Sequence, residues 1–166
     1  CSWKMTAEVV VPEGGALGVI ACQGGNMAGW SLYINESGKP TYHYNWFGHV
    51  HSVVVDTQAL KPGSHEIVVD FAYDGGFGAG GVATLFVDNR EAGSVRIDKT
   101  VPLVYSMSGE TFDIGVDTGS PVGNYPHLFT CTADIVGVTI ERLNEPSAAT
   151  KQKMREGEFK ASISTQ

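Results

Sequence analysis

Along most of the chain apolar and polar residues alternate with a period of two, the repeat of an extended strand whose side chains point to opposite faces. The longest such run is residues 67–97, IVVDFAYDGGFGAGGVATLFVDNREAGSVRI. Ile67, Val69, Phe71 and Tyr73 alternate with Val68, Asp70, Ala72 and Asp74, and a glycine loop follows. Ala83, Leu85 and Val87 then alternate with Val82, Thr84, Phe86 and Asp88. Asp88-Asn89-Arg90-Glu91 predicts a reversal, because Asp and Asn accept tight-turn geometry through short-range side-chain hydrogen bonds. Val95 and Ile97 resume the alternation.

The same pattern recurs on both sides of this run. Trp3, Met5, Ala7 and Val9 alternate with Lys4, Thr6 and Glu8, and Pro12-Glu13-Gly14-Gly15 predicts a turn. GVIACQGG, the row Trp30, Leu32 and Ile34, the turn Asn35-Glu36-Ser37-Gly38, TYHYNWF and VHSVVVD follow in order. Downstream come TVPLVYS, a glycine- and aspartate-rich segment over residues 111–123, and a last strong strand, ADIVGVTIERL. Some ten short strands without an amphipathic helix predict an all-β domain over residues 1–143, built as two packed antiparallel sheets. Residues 144–166 are polar with little to bury, and read as a tail or interaction arm with a short helix around 151–156.

Composition sharpens this picture. With 166 residues there is room for one well-buried domain, and 21 glycines with 17% charged residues suit many turns and few helical surfaces. The net charge of −7 disfavours nucleic acid as a partner, since the one basic cluster, Lys151, Lys153 and Arg155, is interleaved with Glu156 and Glu158. No apolar run is long enough for a helical membrane span. The chain opens on Cys1 and enters a strand at once, which reads as a piece of a longer polypeptide. Cys1, Cys22 and Cys131 form no disulfide framework, with buried thiols expected for Cys22 and Cys131 and a single bridge between them as the alternative.

Several motifs invite chemistry. Gly76-Phe77-Gly78-Ala79-Gly80-Gly81 matches Gly-x-Gly-x-x-Gly but runs into a strand, whereas a dinucleotide loop opens a helix; a hairpin loop is expected. His43, His49 and His51 lie close together, and His49 and His51 would share a strand face, yet no third metal ligand is placed by spacing, so these two are expected as surface histidines. Residues 113–119, DIGVDTG, are oxygen-rich: Asp113, Asp117 and Thr118 are candidate Ca²⁺ ligands, the competing expectation being carboxylates that cap backbone amides. Asn35-Glu36-Ser37 is a glycosylation sequon in a turn. No nucleophile elbow occurs, and Asp70 and Asp74 lack the third partner a glycosidase site would need. Tyr42, Tyr44 and Trp46 share one face and are the candidate sugar-stacking platform, against the commoner fate of such a row as core.

The blocks ACQGG…GWSLY, GKP…YHYNW, YDGG…GG and FDIGVDTGSPV keep an order that resembles the C-terminal region of the long bacterial arylsulfatases, over residues 2–143. The resemblance implies a concanavalin A-like or laminin G-like jelly-roll sandwich that packs on a catalytic sulfatase domain of the same polypeptide or supports homo-oligomers. It carries no catalytic residue here, because none of the three cysteines, and no serine, stands in a Cys/Ser-x-Pro-x-Arg motif. The formylglycine and Ca²⁺ of such a parent would lie outside this chain. The expected role is thus a non-catalytic accessory domain of an arylsulfatase, with a carbohydrate-binding, lectin-like module as the alternative. The compartment is not legible.

Overall fold

A computed structural model describes residues 1–102 and 112–143. Ten strands run in chain order: β1 (Ser2–Val11), β2 (Gly18–Gly24), β3 (Gly29–Ile34), β4 (Pro40–Trp46), β5 (Val50–Val55), β6 (Gly63–Tyr73), β7 (Ala79–Val87), β8 (Arg90–Lys99), β9 (Phe112–Ile114) and β10 (Asp134–Leu143). They form two five-stranded antiparallel sheets, ordered β10-β1-β6-β7-β8 and β5-β4-β3-β2-β9. No helix occurs among the described residues. The architecture is the all-β, two-sheet sandwich that the alternation predicts.

The inward rows make the core. Met5, Ala7 and Val9 of β1, Ile67, Val69 and Phe71 of β6, and Ala83 and Leu85 of β7 face Ile20, Trp30, Leu32, Ile34, Tyr42 and Tyr44 of the second sheet. Register aligns these rows: Met5 lies opposite Val69, and Val69 opposite Leu85. Burial of such side chains contributes roughly 1.5–3 kcal/mol each, so this layer dominates stability. At the β7–β8 turn Asp88 and Asn89 both adopt positive φ, 50° and 63°, as a tight two-residue hairpin turn demands. Of the glycine motif at residues 76–81, Gly76, Phe77 and Gly78 lie in the hairpin loop from β6 to β7, and Ala79, Gly80 and Gly81 open β7, with no helix following.

Alternation does not foresee that β3 is buried on both faces along its whole length. The outer face of the second sheet is covered by residues 115–131, which bring Val122, Tyr125 and Phe129 onto Val19, Cys22 and Tyr33 as a second, smaller core. This cover is stitched down by Val19 N–H donating to Phe129 O and Thr132 N–H to Leu17 O. Gly18 is required at the seam: its φ is +110°, and a Cβ there would sit 2.0 Å from Thr130 O.

Of the segment TVPLVYS, residues 103–106 lie outside the described residues, and β8 ends before it at Lys99. The 144–166 tail and its expected helix also lie outside them.

Candidate functional site

The candidate platform divides in two. Tyr42 and Tyr44 face the core and are 1% and 3% exposed, so no sugar ring can lie on them; this corrects their expected role. The reason is the sandwich itself, which turns the row inward and covers it with the opposite sheet. Trp46 ends the row at the mouth of the sandwich and is half-buried. It walls a groove of about 180 Å³ with Tyr44, Val50, Ser52, Asp98 and Lys99. The groove lies between β5 and β8, the edge strands of the two sheets. Lys99 Nζ stands 5.6 Å from the centre of the Trp46 ring, and the ring of Phe47 meets Trp46 edge-on at 5.2 Å. The Tyr44 phenol closes the floor, accepting the Val101 N–H at 2.8 Å. An aromatic wall, an ammonium and the Ser52 side chain converge there, a set suited to stacking one face of a ring while binding its polar substituents, whereas the Asp98 carboxylate is exposed and turns to Arg96 Nε at 3.7 Å.

A second group of functional side chains lies beneath the cover. Cross-strand register sets Asp113, Cys22, Ser31 and His43 in one row across β9, β2, β3 and β4. Sulfur and carboxylate atoms of Cys22, Asp113 and Asp117 lie within 4.8 Å of one another. Asp113 Oδ2 accepts the Thr118 N–H at 2.9 Å and its hydroxyl at 2.6 Å. Asp117, 1% exposed, accepts the Gly119 N–H at 3.2 Å and the Tyr125 hydroxyl at 2.7 Å. The amide-capping expectation therefore describes much of this loop, and Thr118 acts as a donor to Asp113. Burial pushes the Cys22 thiol up, and the carboxylates of Asp117 and Asp113 push it further. Burial also raises the Tyr125 phenol, against the opposing effect of Ser31 and with the help of Asp117 and Cys22.

The histidines arrange themselves differently from their spacing. His51 meets His43, with Nε2 of His43 2.7 Å from Nδ1 of His51. His43 is 2% exposed and interior, under Gly123 of the cover, while His49 and His51, the two expected at the surface, are exposed. His65 joins Asp88 Oδ2 and Lys61 O, each at 2.7 Å. Asp70 and Asp74 form no acidic pair: Asp74 is bound by Arg96 at 2.5 Å, while Asp70 is buried beside Thr84. In the sequon, Asn35 Oδ1 accepts the Ser37 and Lys39 N–H groups and so holds its own turn. All three cysteines are free; Cys22 belongs to the outer core, whereas Cys131 packs on the inner one.

Four contributors escaped the sequence. Lys99 and Ser52 reach Trp46 only through the approach of two edge strands, and Cys22 joins the aspartates only through β2–β9 pairing. The fourth, Asn45, is fully buried, donating to Gly25 O and Asn26 O while accepting the Gly48 N–H at 2.8 Å. It fixes the loops beside the groove. A polar residue inside an aromatic row was its only signal.

No family model matches the chain, and no curated protein matches it. Solved structures do resemble it. Domains LG4-5 of the mouse laminin α1 chain superpose with a TM-score of 0.60 at 16% identity, covering 89% of this chain and 39% of that one. The CBM40 of the Ruminococcus gnavus IT-sialidase, bound to α2,3 sialyllactose, gives 0.60 at 13% identity, covering 89% and 78%. A heptameric SAP-like pentraxin from Limulus polyphemus gives 0.53 at 10% identity, covering 90% and 67%. The fold is thus a concanavalin A-like, laminin G-like sandwich. None of these comparisons links the chain to arylsulfatases.

Proposed function

We propose that the chain is a carbohydrate-binding, lectin-like module whose glycan lies in the Trp46 groove, with an anionic sugar substituent on Lys99. The observation that carries this reading is the Lys99 ammonium poised 5.6 Å over the exposed end of an otherwise buried aromatic row. The ring supplies a stacking face, Ser52 bonds a hydroxyl, and the ammonium selects for a carboxylate or sulfate. The sialyllactose-bound neighbour supports the ligand class. The fold supports a binding role over a catalytic one.

Glycan-array and calorimetric binding to sialylated, sulfated and neutral oligosaccharides tests it. Preference for the acidic glycans is expected, reduced about tenfold, or ~1.4 kcal/mol, by Lys99→Ala. Trp46→Ala should abolish it while leaving the circular dichroism spectrum unchanged. A flat response across the array removes the reading. Loss with Tyr125→Ala but not with Trp46→Ala would move the site to the hollow lined by Tyr33, Asn124 and Tyr125. Attachment to a sulfatase rests on the ordered sequence blocks alone, and it would bring such a module to a sulfated glycan; the coding sequence upstream of Cys1 tests that.

A further inference from the structure

The side chains of Cys22, Asp113 and Asp117 converge from β2, β9 and the cover, and we propose that they hold a divalent transition-metal ion of the zinc class. Their donor atoms lie within 4.8 Å of one another, and a tetrahedral ion with bonds of about 2.0–2.3 Å asks for a contraction of roughly 1 Å. Cys22 and Asp117 are each 1% exposed, while Asp113 is half-buried and leaves a way in. Thr118 donates twice to Asp113 Oδ2, and Gly119, Val122 and Tyr125 donate to Asp117, so these bonds hold the carboxylates beside Cys22 as outer-shell contacts hold metal ligands.

A second, independent feature points into the same place. Ser31 is the cross-strand partner of Cys22, on the same face of the sheet, and is 0% exposed. Among the described residues its hydroxyl makes no hydrogen bond of full geometry, the Tyr125 phenol beside it being turned to Asp117. A buried hydroxyl left this way costs about 1–3 kcal/mol. A water carried on an ion at Cys22 would satisfy it, and would fill the fourth position of a site with three protein ligands.

The donor set decides the class of ion. Calcium takes six to eight oxygens, and here a sulfur stands among two carboxylates, a combination for a borderline-soft cation. As the metal–sulfur bond forms, the thiol proton leaves to solvent, so affinity rises with pH. The bound ion would also tie the cover to β2 and β9.

The test is titration of the metal-free chain with Zn²⁺, Cd²⁺ and Ca²⁺, read by calorimetry, by melting temperature and by the ultraviolet thiolate-to-cadmium band. Zn²⁺ and Cd²⁺ are expected to bind one per chain and raise the melting temperature. The band should vanish in Cys22→Ser and survive in Cys1→Ser and Cys131→Ser. Asp113→Asn, at a half-buried position where folding is expected to survive, should weaken Zn²⁺ by at least the 10- to 100-fold typical of an outer-shell change. Binding of Ca²⁺ in preference to Zn²⁺, or a band that persists in Cys22→Ser, overturns the proposal. So does Zn²⁺ affinity unchanged in Asp113→Asn.

Discussion

His43 lies on β4 beneath Gly123, with Nε2 engaged by His51 and Nδ1 without a partner among the described residues. Burial, and then the neighbouring His51, lower its pKa from 6.5 to about 4. The unfolded chain therefore takes up a proton between those values that the folded chain refuses, and stability falls as pH drops from 6.5 toward 4. His65 behaves oppositely. Burial pushes its pKa down, but the Asp88 carboxylate and the Lys61 carbonyl outweigh this and raise it above 6.5. Its contribution is complete below 6.5 and is lost as pH rises through the raised value. Chemical denaturation across pH should show a stability maximum near 6.5 for these two groups. His43→Gln should flatten the acid limb and His65→Gln the alkaline one. At the same scale, Arg90 Nη2 bonds the buried Asp56 Oδ2 at 2.6 Å. Arg90→Ala leaves that carboxylate with the Gln58 N–H and should cost about 1–3 kcal/mol in a urea titration.

Among the elements, strands that present one face to water were legible because alternation reports a difference between faces. β1 shows it plainly, with Met5, Ala7 and Val9 buried and Glu8 exposed. β3 and β4 read as ordinary half-buried strands, and the structure buries them twice, so the polar row Ser31, His43 and Asn45 is interior. Nothing in residues 115–131 announced a second layer, because loop segments carry no period. Gly123 is the tight point of that layer: a Cβ there would approach His43 Nδ1 to 2.5 Å. Gly123→Ala should lift the cover, seen as faster reaction of Cys22 with a thiol reagent, without loss of the far-ultraviolet sheet signal. The candidate sites were legible in the same partial way. Trp46 and Asp113 were visible as residue types in a pattern, while their partners Lys99 and Cys22 come from strands distant in sequence.

On the scale of the whole molecule, β1 is flanked by β6 and β10, so the first strand is completed by the last. Such non-local pairing demands closure of a long loop before its contacts form, which predicts refolding in milliseconds to seconds by stopped-flow fluorescence. Removing residues 134–166 would open the β1 edge and uncover one side of the core, and the product should aggregate in light scattering. The sequence by itself determined the strands, their inward rows and the all-β class, because a strand's side-chain period is local and is written residue by residue. Which aromatic reached the surface, which histidine was interior, and which sulfur met two carboxylates were decided only by tertiary structure. Those outcomes depend on which strands become neighbours and what lies over them, and proximity across a sandwich leaves no mark in local spacing.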